Sequence, residues 1–217
     1  MYSLPYFKEK DIRRVIDFMR EYPFAFVTGC DAMNRPVATQ LPVFIDEKPA
    51  NEKDEANRLF LSGHMMRNTD HHKAFSQNSN ALVVFTGAQT YVSASWYEDK
   101  RQGSTWNYIS VHARGRVRFL GDEQLIEVLK RTTNHFENNP ASGANFEDLS
   151  DDYVNRMKTA IVAFEIEVEE MDNVFKLSQN RDEKSFHNII SKLEDGNDQA
   201  RSIAGEMKKR ASELFNK

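Results

Sequence analysis

Between Tyr91 and Gly115 the chain reads YVSASWYEDKRQGSTWNYISVHARG, which holds both tryptophans and three of the seven tyrosines. Ser93, Ser95, Ser104, Thr105 and Asn107 lie among these rings. A plain core strand has no need of so many hydrogen-bonding groups beside so many large rings. A planar polar ligand does, because rings cover its faces while hydroxyls and amides read its edge. Phe175-Lys176-Leu177-Ser178-Gln179-Asn180-Arg181 repeats the mixture of apolar, amide and cationic groups far away in sequence. Two such segments predict one site assembled from distant strands.

A third segment, Gly63-His64-Met65-Met66-Arg67-Asn68-Thr69-Asp70, joins an expected strand to an expected helix. Backbone N–H groups at a helix start together with Arg67 would suit a phosphate, and Asn68 and Thr69 are good N-cap types. By spacing alone an ordinary capped helix is the better account, because Arg67 is one cation and Asp70 sits in the same first turn.

Other candidates read more plainly. His71-His72 are adjacent on a helix and point in different directions, so a surface pair is favoured over a metal site. His112 lies on the polar face of a long strand, where a hydrogen-bonded structural role comes first and a ligand contact second. Arg114, Arg116 and Arg118 form a stripe that could meet nucleic-acid phosphates. Pairing with the alternating Glu165, Glu167 and Glu169 is the more economical account. No Ser-His-Asp or Cys-His order, Gly-rich phosphate loop or catalytic carboxylate pair stands out, so no catalytic residue is nominated. Chemistry, if any, would come from a cofactor.

These segments need elements to position them. A helix is expected over Asp11 to Tyr22, with Ile12, Val15, Ile16 and Met19 inward. Strands follow at Phe24 to Cys30 and Val37 to Ile45, joined as a hairpin through Met33-Asn34-Arg35-Pro36. Residues 46–58 read as a polar loop and Leu59 to Ser62 as a strand. Gly63 to Asn68 reads as irregular and Thr69 to Gln77 as a short helix. Strands are expected at Ala81 to Gly87, near Tyr91 to Ser95, and over Thr105 to Leu120. The last has Ile109, Val111, Ala113, Val117 and Phe119 on one face. Residues 122–137 are helical, with Leu125, Ile126, Leu129 and Phe136 inward, and Asp151 to Thr159 forms another short helix. Val162 to Val168 alternates as a strand. From Asp182 two helical stripes, separated at Gly196-Asn197, form a C-terminal hairpin. The element order implies a mainly antiparallel barrel or sheet with added helices, in the α+β class. Residues 1–180 would form the barrel domain and 181–217 a helical extension packed on it.

Composition sets the outer bounds. In 217 residues, 40% hydrophobic content with 15 Phe suffices for a real core. A net charge of −4 disfavours a surface that is nucleic-acid footprint throughout, leaving a local basic patch possible. Cys30 is the only cysteine, which excludes an intramolecular disulfide and a Cys-based zinc site. It is read as a small buried hydrophobe. The N-terminal MYSLPYFKEKD has no apolar signal core, no segment has the length of a membrane span, and a cytoplasmic setting is the default expectation.

Taken together, several motifs resemble the PaiB-type family of FMN-binding negative transcriptional regulators, a branch of the FMN-binding split-barrel fold. They are Pro23-Phe24-Ala25, Pro36-Val37-Ala38-Thr39-Gln40-Leu41-Pro42, Gly63-His64-Met65 with Arg67-Asn68, Ser95-Trp96-Tyr97, Thr105-Trp106-Asn107-Tyr108 with His112, and Phe175 to Arg181. The resemblance runs from Met1-Tyr2 to about Met207. Gln40 stands where the family often has His. The resemblance implies a split β-barrel binding FMN at a homodimer interface. Ala38, Thr39, Gln40 and Leu41 would lie along the ring system. Arg67, Asn68 and the helix start would face the phosphate, with His64 nearby. Tyr91, Trp96, Thr105, Trp106, Asn107 and His112 would complete the pocket, and Lys176 and Gln179 would approach the ring edge or phosphate. The implied function is a transcriptional repressor, with direct DNA binding possible but weakly supported by charge. A flavin-dependent oxidoreductase similar to pyridoxamine-phosphate oxidase is the alternative, and a non-catalytic flavin-binding module the third reading.

Overall fold

The computed structural model describes residues 1–2, 4–49 and 57–215. In chain order the elements are α1 (Ile12–Glu21), β1 (Phe24–Cys30), β2 (Pro36–Pro42), β3 (Phe44–Pro49), β4 (Asn57–Met66), α2 (Asp70–Gln77), β5 (Asn80–Val92), β6 (Thr105–Phe119), α3 (Asp122–Glu137), α4 (Asp151–Ala160), β7 (Ile161–Lys176), α5 (Glu183–Glu194) and α6 (Asp198–Phe215).

The strands differ from the sequence expectation mainly at their ends. The strand expected over Val37 to Ile45 is two strands. Beside Pro42 the Val43 N–H leaves the hairpin and donates to the Pro23 carbonyl at 2.9 Å. β3 then carries Asp46, Glu47 and Lys48, which were expected in a loop, into a ladder with β4 in which Lys48 faces Arg58. Polar side chains fit there because β3 is an edge strand and each charge has a partner: Asp46 meets Arg131 at 2.8 Å, Glu47 meets Arg20 at 3.1 Å and Lys48 meets Glu165. Residues 50–56 of that expected loop lie outside the described residues. β4 does not stop at Ser62. Gly63 to Met66, expected to be irregular, pair with Phe164 to Ile161 of β7. Gly63 permits this, since a Cβ there would lie 2.9 Å from the Pro42 carbonyl oxygen. β5 is one strand where two were expected, and the chain turns as a short 3₁₀ segment at Ala94–Trp96.

Two residues expected inward face solvent. Ile12 is exposed because the packed stripe of α1 starts at Val15 and continues through Ile16, Phe18 and Met19. Phe136 is exposed near the end of α3, whose buried contacts come from Leu125, Val128 and Leu129 against Ile161 and Ala163.

The chain forms two compact units. Met19–Phe85 with His112–Met171 carries part of all seven strands. They form one antiparallel sheet in the order β2-β1-β5-β6-β7-β4-β3, left open with β2 and β3 at its edges. Its core is apolar and closed to water at Ala25, Val27, Leu61, Val83, Phe85, Ala113, Phe164 and Ile166. α2 lies against β1 at Gly29, where a Cβ would come within 2.6 Å of the Phe75 ring.

The other unit comprises Met1–Phe18, Thr86–Val111 and Asp172–Lys217. The expected C-terminal hairpin is present as α5 and α6, which bury Phe186, Ile189, Leu193, Ile203 and Met207. Asp182 caps α5 by accepting from the Ser185 N–H at 2.8 Å. Arg210 of α6 is almost wholly buried and reaches Glu9 at 3.0 Å and Glu206 at 2.7 Å, so its charge is compensated on two sides.

Candidate functional site

The corner between β4 and α2 is built by Asn68, whose φ of 65° is the left-handed conformation that asparagine tolerates. Thr69 is the N-cap. Its hydroxyl accepts from the His72 N–H at 3.3 Å and donates to the Met66 carbonyl at 3.0 Å. The Asn68 N–H donates to His72 Nδ1 at 3.3 Å, and Asp70 accepts from the His71 N–H at 2.8 Å. That last bond holds the Asp70 carboxyl below its ordinary range. Much of the donor capacity of this helix start is therefore used locally, and a carboxylate stands beside it. Arg67 is different. Its backbone N–H donates to the Ala160 carbonyl at 2.8 Å and its Nε to the Ile161 carbonyl at 2.9 Å. Those bonds aim the guanidinium. Its two terminal nitrogens have no acceptor among the described residues, which suits a bidentate oxyanion contact.

His64 lies one turn of pleat earlier. It pairs with Ala163, which packs against α3, so the imidazole is on the face of the sheet that α3 covers. Its Nδ1 is buried with no hydrogen-bond partner, and burial lowers its pKa, keeping the ring neutral. Along β2 the register divides the expected residues between two faces. Thr39 and Leu41 pair with Val27 and Ala25 on the core side. Ala38 and Gln40 pair with Thr28 and Phe26 on the outer side, where Phe24 and Phe26 are 60% and 40% exposed.

On β6, His112 is half-buried on the face that also carries Arg114, Arg116 and Arg118. The expected ion-pair ladder is present for two of the three arginines. Arg118 reaches Glu165 at 2.7 Å and Arg116 reaches Glu169 at 3.3 Å, while Glu167 is met by Arg58. Burial pushes the Glu165 carboxyl up, but Lys48 and Arg118 outweigh it and the pKa is low. Arg114 pairs with no carboxylate among the described residues, a distinction that regular spacing alone does not reveal.

The remaining expected residues occupy the unit that contains α5 and α6. Lys176 donates to the Thr105 hydroxyl and to the Trp106 carbonyl at 2.8 Å. Its ammonium lies 5.7 Å from the Tyr2 ring centre and 5.9 Å from that of Phe7. Desolvation, then the charge of Arg181, lowers its pKa. Tyr91 and Trp106 form an exposed edge-to-face pair at 6.0 Å, and Trp96 is half-buried in the 3₁₀ segment. Asn107 is wholly buried, accepts from Ser178 at 3.0 Å and donates to the Met207 sulfur at 3.5 Å. Gln179 folds back on its own turn, accepting from the Leu177 N–H at 2.7 Å and donating to the Phe175 carbonyl. The amides of Asn107 and Gln179 thus hold the turn in place, with Ser178 at a φ of 63° between them. Sequence reading missed Tyr97, which is buried under the Arg181 guanidinium at 4.1 Å. The Ser-Trp-Tyr motif contained it, but its burial depends on α5, where Ser185 accepts from the neighbouring Glu98 N–H.

Residues 1–170 match the family described as "Putative FMN-binding domain". The chain is 30% identical over 194 residues to the protein named protease synthase and sporulation protein PAI 2 of Bacillus subtilis (strain 168), covering 89% of each. Among solved structures it is similar to the FAD- and heme-binding protein from Mycobacterium smegmatis, with TM-score 0.53, 15% identity and coverage of 78% and 73% of the two chains. The conserved hypothetical protein Rv2991 from Mycobacterium tuberculosis gives TM-score 0.52 at 10% identity, covering 81% and 91%. At such identities these two structures bear on the fold alone, and they agree with an open, split-barrel sheet. With the sequence match spanning most of its length, the chain belongs to the PaiB-type family of FMN-binding domains, and FMN is its cofactor.

Proposed function

We propose that this protein is a flavin-dependent regulator of the PaiB-like class that works as a homodimer, with the FMN phosphate held by Arg67. The observation that carries this reading is the pre-aimed guanidinium, anchored through Nε and open at both terminal nitrogens. The residues present fit the cofactor. Arg67 supplies charge-assisted donors, Asn68 forms the tight corner, and the outer face of β2 at Ala38 and Gln40 offers an open edge strand for the ring. Bound FMN supplies a planar, redox-active ring. Tyr91, Trp96, Thr105, Trp106 and Lys176 form the second set, contributed in this reading by the partner subunit. Exposed Phe24 and Phe26 support a two-fold contact, because burying them offsets the cost of association. A net charge of −4 and the pairing of Arg116 and Arg118 with glutamates argue for regulation through another protein or a small molecule in place of tight DNA contact. The single cysteine accords with a reducing, cytoplasmic setting.

Arg67→Ala is expected to weaken FMN about ten- to a hundred-fold, the equivalent of roughly 1.5–3 kcal/mol, and to leave riboflavin nearly unchanged. Fluorescence titrations of both flavins check this, and equal losses would move the phosphate elsewhere. A salt titration of promoter DNA binding beside a flavin-reduction assay separates the roles. Tight, sequence-selective DNA binding at physiological salt would make it a direct repressor. Rapid flavin reduction by a specific donor would favour the oxidoreductase.

A further inference from the structure

The two adjacent histidines at the start of α2 are held in different ways. His71 is tied at both ring nitrogens, with Nε2 3.0 Å from the Thr69 hydroxyl and Nδ1 3.1 Å from the Asp70 carboxylate. His72 is tied at one. Its Nδ1 accepts the Asn68 N–H at 3.3 Å, its ring centre lies 5.0 Å from that of Phe119, and its Nε2 has no protein partner among the described residues. An imidazole nitrogen accepts a hydrogen bond only while it carries no proton. Neutral His72 therefore withholds the Asn68 amide, and protonated His72 releases it.

The surroundings set when that happens. The charged groups that face His72 are Arg67 at the end of β4 and His71 and Lys73 of α2, while β6 contributes the Phe119 ring. Burial, then the charge of Arg67, lowers the His72 pKa, so without a compensating anion the ring is neutral at pH 7. Asp70, the carboxylate in the same turn, is spent on the His71 N–H and ring. A phosphate dianion held by Arg67 would offset the repulsion between Arg67 and the imidazolium.

We propose that His72 is a second, proton-gated ligand of the FMN phosphate: on protonation the ring lets go of the Asn68 N–H, and the amide and the imidazolium both donate to phosphate oxygens beside Arg67. The inference rests on the reading that Arg67 holds this phosphate. It adds a proton taken up on binding, and it accounts for how a corner whose donors are bonded locally opens to an anion.

Two variants test it. His72→Gln keeps an acceptor for the Asn68 N–H, His72→Phe keeps a ring against Phe119, and neither titrates. The FMN phosphate itself loses charge near about pH 6, which weakens parent and variants alike, so the ratio between them is the readout. At pH 6 the parent protein should bind FMN at least about five-fold more tightly than His72→Gln, and at pH 8 within about two-fold. Riboflavin, which lacks the phosphate, should show no such divergence. In the parent protein the His72 Hε1 proton resonance, identified by its loss in His72→Gln, should titrate about one pH unit higher or more with FMN and stay in place with riboflavin. Thermal melts confirm that the variants fold. The same pH dependence of FMN affinity in the parent and both variants, or a His72 midpoint that FMN leaves unmoved, would overturn the proposal. Arg67→Ala keeps the two readings apart. Selective loss of FMN with an unmoved His72 midpoint removes His72 alone, whereas equal loss of both flavins takes the phosphate from this corner and the proposal with it.

Discussion

At the scale of single residues, the chemistry depends on which donors are spent and which are open. Arg67 and Arg114 keep guanidinium nitrogens unpaired among the described residues, while Asn107 and Gln179, equally polar in sequence, are committed to internal bonds. His64 is the clearest residue whose environment sets its charge. Burial holds its pKa below the usual 6.5, and its Nδ1 has no partner. The unfolded chain therefore binds a proton at higher pH than the folded chain does. The stability from a neutral His64 is fully present above about pH 6.5 and is lost as pH falls through the depressed folded value. Urea unfolding at pH 7.5 and pH 5 should show a smaller acid-side loss for His64→Leu than for the parent protein. An unchanged pH dependence would mean that His64 takes its proton without cost.

At the scale of elements, strand ends and crossing points are decided by close backbone approach. β6 passes β7 at Gly115, where a Cβ would come within 2.0 Å of the Glu167 carbonyl oxygen. Backbone cannot give way as a side-chain tip can. Gly115→Ala should cost about 3 kcal/mol, the upper end of overpacking penalties, and Gly103→Ala, with nothing within 4 Å, should be near neutral. Denaturant midpoints at constant slope check both, and equal effects would refute the packing account. Periodicity made β1, β6, α5 and α6 legible because their buried residues recur at the spacing of one element. It misplaced the ends of β2, β3, β4 and β5, and that of β7, expected to end at Val168 but running to Lys176, since a strand continues wherever a neighbour accepts its hydrogen bonds, even through polar Asp46 to Lys48 or through Gly63.

At the scale of the molecule, the open edge at β2 and the exposed Phe24 and Phe26 lie on one side of the sheet. Sedimentation at micromolar concentration should give a species near twice 25.1 kDa, and Phe26→Asp should shift it toward monomer by placing a charge in the contact. A parent protein that sediments as a monomer while binding FMN would sink the shared-site reading. No described helix is long and apolar enough to cross a membrane. By itself the sequence determined the α+β class, the hairpin β1–β2, the terminal helical pair and the family, because these rest on local periodicity and on motifs written contiguously. It also marked the residue types of the candidate site. Only the tertiary structure decided which of those side chains remain open to a ligand. Hydrogen bonds such as Arg67 to Ile161, Ser178 to Asn107 and Arg118 to Glu165 join positions 94, 71 and 47 residues apart. Spacing along the chain carries no record of which donors such long-range contacts consume.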